Sequence, residues 1–163
     1  MSPRAAWRLA SLGFEHVFDY LAGKAGWSAA GLPLEGTTAA NPTAGRAADA
    51  SVPTCQLTDD LQGVRASVGA SDWRQCIVVN EERIVLGRLG RRALERDDEQ
   101  TVEEAMTEGP STVRPDEPLA KLLARLERQE LETALVTTSD GHLVGVVLRA
   151  QAEIPPSTSS EQP

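Results

Sequence analysis

"TALVTTSDGHLVGVVLRAQ", Thr133 to Gln151, decides the fold. Two runs, Thr133–Thr138 and Leu143–Leu148, flank Ser139-Asp140-Gly141-His142. Asp-Gly between apolar runs is a strong hairpin signal, because glycine takes the positive φ that a tight turn needs. Upstream, Pro115 and Asp116 open a helix that continues to Gln129, with Leu119, Leu122, Leu123 and Leu126 on one face. Before that helix, Ser111 to Val113 suits a short strand. After the hairpin, "RAQAE" suits a short terminal helix. The order is β-α-β-β-α.

The same order occurs once more, earlier in the chain. Thr54 to Leu57 is a short apolar opening, and a helix follows from Asp59 through Val68. Then come "CIVVN", a turn "EER", "IVLGRL" and the helix "GRRALER". A repeat is the most informative feature of a sequence. Neither unit buries its own sheet, so the two are expected to pack as one body. "ERDDEQTVEEAM" joins them, and Thr101-Val102-Glu103-Glu104 reads as a capping box. The fold class is α+β: tandem β-α-β-β-α repeats related by a pseudo-twofold axis, plus a small N-terminal α/β fragment. The divisions are 1–35 for that fragment, 36–52 for a flexible linker, 53–97 and 98–153 for the repeats, and 154–163 for a disordered tail.

The linker "GTTAANPTAGRAADASV" is small, polar and aperiodic, as is "PPSTSSEQP" in the tail. In the N-terminal fragment, Ser2 caps a helix that runs to Leu12 and stops at Gly13. A short strand is expected at His16 to Tyr20, then a helical turn before Gly31 and Pro33. Trp7 is left on an exposed apolar face.

A net charge of −8 argues against general nucleic-acid binding, which needs a cationic face. The charge is uneven: from Asp98 to Glu153, twelve acids stand against five bases. Arginines gather earlier, at Arg83, Arg88, Arg91, Arg92 and Arg96. No apolar run approaches the ~18 residues that span a bilayer, and no signal peptide is visible. A cytoplasmic setting follows, with no membrane partner. Cys55 and Cys76 fit neither a disulfide framework nor a zinc knuckle, and read as small buried apolar residues. His16 and His142 read as surface residues. Walker loops, zinc signatures and catalytic triads are missing from the sequence.

The tandem repeat resembles the cystathionine-β-synthase (CBS) domain pair, or Bateman module. "VEEAMTEGPSTVRPDEPLAKLLARL" and "ALVTTSDGHLVGVVLRAQ" carry the resemblance in the second unit. "CIVVNEERIVLGRLGRRAL" stands in the matching place in the first. The opening "SPRAAWRLASLGFEHVFDYLAGKAGWSAAGLP" resembles the C-terminal end of a rhodanese-like domain through Ser2, Ala5, Ala6, Leu9, Gly13, Phe14, Val17, Trp27, Gly31, Leu32 and Pro33. Met1 sits where that family's loop arginine would be, and its loop cysteine would lie before the first residue. Sulfur transfer is therefore not expected.

The CBS resemblance implies a non-enzymatic regulatory or binding module. It also implies a homodimer through CBS helices, and AMP, ADP or ATP between the repeats. No cofactor is certain. The family signature is G-h-x-T/S-x-x-D, in which a hydroxyl and a helix N-terminus hold phosphate and the Asp holds ribose. Here Gly90 and Ala93 replace the hydroxyl and Asp in the first repeat, and Leu148 and Gln151 replace them in the second. The candidate contacts are Thr112 on the opening strand, Arg91 and Arg92 beside Gly90, Arg149 at the equivalent of Arg91, and Gln151. Two alternatives stand beside the sensor: a ligand-free interaction module with a degenerate site, and a truncated remnant of a rhodanese-type sulfurtransferase.

Overall fold

The computed structural model describes residues 3–18, 23–30, 32–33, 35, 41–96 and 100–152. The tail at 154–163 and part of the linker lie outside the described residues.

The first repeat is β1 (Thr54–Cys55), α4 (Leu61–Gly69), β2 (Cys76–Val79), β3 (Val85–Leu89) and α5 (Arg91–Glu95). The second is β5 (Thr112–Val113), α7 (Leu119–Arg128), β6 (Thr133–Thr137), β7 (Leu143–Leu148) and α8 (Arg149–Ala152). In each, the opening strand runs parallel to the next, which then pairs antiparallel with the third. Cys55 aligns with Val78 and Val113 with Val136. The bulges match too, at Val78/Val79 and Val136/Thr137. Equivalent positions therefore follow one by one: Ile77 with Leu135, Gly87 with Gly145, Arg88 with Val146, and Arg91 with Arg149.

β2 and β6 are apolar on both faces because both faces are covered. Cys76 and Val78 join Leu61, Val64 and Val68 of α4 in one core. Ala134 and Val136 join Leu119, Leu122 and Leu126 of α7 in a second. The alternate residues, Ile77 and Val79 on one side and Leu135 on the other, meet with Val146 in a third core between the two sheets. The layers run helix, sheet, sheet, helix. The hairpin turns also bond to each other: Val85 N–H donates to Gly141 O at 3.0 Å and Leu143 N–H to Arg83 O at 2.9 Å.

Each repeat is completed by the segment that precedes the other. α6 (Val102–Ala105) leads into the second repeat, yet Val102 is fully buried in the first core. β4 (Thr107–Glu108) then adds to the first sheet beside β3. Conversely, α3 (Ala44–Ala47) precedes the first repeat, and its Ala44 is fully buried in the second core. Asp49 and Val146 exchange backbone hydrogen bonds of 2.9 and 3.0 Å. The reading of 36–52 as a flexible linker is therefore corrected for 41–52. Its alanines are small because they pack closely, not because they are idle: a Cβ on Gly45 would lie 2.8 Å from the Pro115 Cβ.

Two boundaries differ from expectation. α7 begins at Leu119 rather than Pro115, because Pro115 is buried and its carbonyl accepts from Gly45 N–H. Proline also holds the residue before it extended, so Pro118 delays the helix. The strand expected at His16 to Tyr20 is not formed over 16–18, which pair with no neighbour there; a strand without a ladder leaves its backbone groups unpaired. The fragment instead holds α1 (Pro3–Ser11) and α2 (Gly23–Ala29), and the Trp27 indole N–H donates to Pro33 O at 2.8 Å. Trp7 and Phe18 are exposed.

The capping box at α6 is complete. Glu104 N–H donates to Thr101 Oγ1 at 3.3 Å, and Thr101 N–H donates to the Glu104 carboxylate at 3.0 Å. The Thr101 N–H, and then the Thr101 hydroxyl at 3.1 Å, hold the Glu104 carboxyl below its ordinary value. A lowered folded value means the contribution is present above the unfolded pKa and is lost as pH falls through the folded one. Thr101→Ala should cost about 1 kcal/mol in a denaturant melt at neutral pH, and the deficit should shrink on acidification. An unchanged deficit at low pH would show that the hydrogen bond from the Thr101 hydroxyl to the Glu104 carboxylate contributes nothing.

Candidate functional site

A cleft of about 680 Å³ opens at the end of the sheets opposite the hairpin turns. The pseudo-twofold axis builds it from matching parts. The loops before β2 and β6 supply Asp72 to Gln75 and Glu130 to Thr133. The junctions after β3 and β7 supply Arg88, Gly90 and Arg91, and Leu148 to Ala150.

Four arginines line it: Arg74, Arg88, Arg91 and Arg149. Asp72, Glu130 and Glu132 line it as well, so the cleft carries both signs with arginine in excess. Arg91 binds Glu95 at 2.6 Å on an exposed surface. That hydrogen bond, with the charges of Glu95 and then Glu132, raises the Arg91 pKa above its usual value. An exposed pair of this kind holds its arginine weakly and opens readily to a better partner. Arg149 N–H donates to Glu132 O at 2.9 Å, tying the start of α8 to the loop before β6.

Arg88 is the unusual member. It stands opposite Ile77 on β3, so its side chain leaves on the face that packs between the sheets. Its equivalent in the second repeat, Val146, is an ordinary core residue at 1% exposure. The Arg88 Nε is buried and meets no hydrogen-bond partner. A buried guanidinium donor without an acceptor is costly, and evolution keeps few of them without cause.

Of the residues singled out in the sequence, the cleft gathers Arg91 and Arg149. Thr112, Arg92 and Gln151 stand elsewhere. In the sheet order β5-β6-β7, a whole strand separates Thr112 from the β7–α8 junction. Arg92 follows Arg91 by one residue, about 100° further round its helix, and Gln151 is two residues past Arg149, about 200° round. α5 has only five residues, so its N-terminus adds little. Sequence reasoning missed Arg74 and the role of Arg88. The signal for Arg88 was present: it is the charged residue in a register where the other repeat has valine.

His142 sits in its hairpin turn, 2.9 Å from the Asp140 carboxylate. Among the described residues no three His, Cys, Asp or Glu side chains gather as a metal site. No helix among them is long and apolar enough to cross a membrane.

Comparison with known proteins assigns the class. Residues 102–151 match the CBS domain family. Solved structures with the same fold are CBS domain pairs. The cytosolic domain of the Mg2+ channel MgtE in complex with ATP aligns with TM-score 0.62 and 19% identity, over 69% of this chain and 48% of that one. This chain thus spans about half the length of that relative. A CBS domain pair in complex with 5′-methylthioadenosine and S-adenosyl-L-methionine aligns with TM-score 0.60 and 15% identity, over 69% of this chain and 94% of that one. CBSX2 in complex with AMP aligns with TM-score 0.62 and 15% identity, over 69% and 93%. No curated protein matches the chain. The two repeats together have the α+β fold of CBS domain pairs.

Proposed function

We propose that this chain is a non-enzymatic regulatory module that holds an anionic adenine nucleotide in the arginine-lined cleft between its repeats. One observation carries the reading: Arg88 places a buried, unpartnered donor at the cleft, where its symmetry mate is an apolar core residue. Phosphate oxygens would pair with the Arg88 guanidinium where it lines the cleft, together with Arg91 and Arg149. Trp73, Leu131 and Leu148 offer apolar surface for a base. Three similar folds were solved with ATP, AMP or S-adenosylmethionine, which supports this ligand class. A homodimer through the CBS helices and a cytoplasmic setting belong to the same proposal. So does the rhodanese-like descent of 1–35.

A second reading is a ligand-free interaction module. Gly90, Ala93, Leu148 and Gln151 favour it, since neither repeat keeps the signature hydroxyl and carboxylate. Arg92, Gln151 and Thr112 would then be ordinary surface residues.

Thermal unfolding against AMP, ADP, ATP and S-adenosylmethionine at millimolar concentration separates the two. A ligand at ~100-fold excess over its Kd adds about 2.7 kcal/mol to the folded state. The expected result is a raised midpoint with at least one of them. Arg88→Val, which copies the second repeat, should abolish that rise. The same substitution should leave the ligand-free midpoint unchanged or higher, because a buried charge gives way to a fitting apolar side chain. No shift with any of the four would favour the interaction module.

A further inference from the structure

We propose that Glu132 is the specificity-determining residue of the cleft: its carboxylate bars an anion from the wall built by the second repeat, so that one ligand binds per chain with its phosphate on the wall built by the first. This deepens the nucleotide reading above and rests on it. The register pairs the two walls residue by residue. Thr54 aligns with Ile77 and Thr112 with Leu135, so counting back along each chain sets Arg74 against Glu132. Both line the cleft.

The pseudo-symmetry is broken in charge. The first repeat contributes Arg74, Arg88 and Arg91 against Asp72 alone, while the second contributes Arg149 against Glu130 and Glu132. At 74 and 132 the sign reverses outright at equivalent places. Both side chains are exposed, so neither serves a core and each acts on what enters. The space differs in the same sense. A Cβ on Gly90 would meet nothing within 4 Å, so the backbone beside Arg91 is open, whereas Leu148 fills the matching place on the other wall.

Glu132 is also fixed where it can act. Its carbonyl accepts Arg149 N–H at 2.9 Å, at the first residue of α8. Its charge reaches Arg91 across the cleft, where it favours the protonated guanidinium. A carboxylate within reach of an arginine partly satisfies that arginine and repels the phosphate that would replace it. A phosphate entering from the second wall thus meets like charge, which costs affinity; one entering against Arg74 and Arg88 does not. Leu131, 47% exposed, and Leu148 leave the second wall apolar around its carboxylates, which suits the base end of the ligand.

The test is titration calorimetry of the folded full chain with AMP and with ATP at low ionic strength. The unaltered chain should take one nucleotide. Glu132→Gln, which keeps the shape and removes the charge, should bind about threefold tighter, and Glu132→Arg, which copies Arg74, at least ~tenfold tighter. Arg74→Glu should weaken binding at least ~tenfold. Glu127→Arg makes the same change of net charge on α7, outside the cleft, and should shift affinity by less than ~twofold. The gain from Glu132→Gln should shrink in ~1 M salt, where the Debye length is about 3 Å. Both cleft positions are exposed, so ligand-free melts should match that of the unaltered chain and show each variant folded. Unchanged or weaker binding by both Glu132 variants would overturn the proposal and leave the nucleotide reading standing, as would two nucleotides on the unaltered chain. Binding that appears only once Glu132 is replaced would uphold the exclusion and overturn the nucleotide reading of the unaltered chain. No binding by any of them would overturn both.

Discussion

Gly145→Ala is expected to be among the most damaging single-atom-group changes in the chain. A Cβ at that position would lie 2.6 Å from the Asp49 carbonyl oxygen and 2.8 Å from its carbon. Both are backbone atoms, held by the exchanged hydrogen bonds between Asp49 and Val146. The preceding segment therefore cannot move aside without losing them. Asp49 is fixed further by its carboxylate, which accepts Ser51 N–H at 2.8 Å. The cost should reach the upper part of the range for overpacking, about 1–3 kcal/mol. Its signature should be local: 41–50 lifts off, Ala44 leaves the second core, and a protease cuts there. Gly87 is the symmetry mate, with its Cβ site against the Met106 Sδ. A flexible thioether can turn away, so Gly87→Ala should cost less. Gly90 has nothing within 4 Å and serves as the control. Equal melts for Gly145→Ala and Gly90→Ala would refute the close-packed crossing.

These two glycines head the stretch that the family signature assigns to ligand contact. In this chain each has a packing reason that needs no ligand: a segment from outside its repeat crosses over it. Their presence is therefore poor evidence for a nucleotide, while Arg88 is better evidence despite lying outside the signature's named positions.

Much of the architecture was legible. Asp140-Gly141 marked one hairpin, and the repeat showed how the halves correspond. The exchange of leading segments was not legible. Ala44 to Ala47 has no periodic apolar face to announce itself, and α6 is too short for periodicity to say which sheet Val102 joins. The linker reading failed for that reason, since small residues look alike whether they are solvated or tightly packed. The cleft was half legible. Arg91 and Arg149 hold equivalent places in the two repeats, and both line the cleft. Thr112 lies apart from this cleft because β6 stands between β5 and β7, and strand order cannot be read along the chain.

Ile77→Ala should rival the glycine substitution, and it tests whether the repeats are one folding body. Ile77 is fully buried in the core between the sheets, with its symmetry mate Leu135 in the same cluster. Truncation of such a side chain costs about 2–5 kcal/mol, the larger values where the cavity cannot collapse. Ile77 rests against two sheets whose hairpin turns are bonded together, so the surroundings have little freedom to close in. Leu122→Ala should cost a similar amount, but in the core beneath α7, which Ile77 does not reach. Pairing the substitutions separates the cases. Ile77→Ala with Leu135→Ala should depart from additivity by about 0.5–3 kcal/mol, because both line one cavity. Ile77→Ala with Leu122→Ala should add to within about 0.5 kcal/mol. Denaturant melts of the three single variants and the two doubles would measure both. If the Ile77–Leu135 pair were additive and unfolding split into two steps, the sheets would be independent. The cleft could then not be a fixed site, since its arginines come from both sheets.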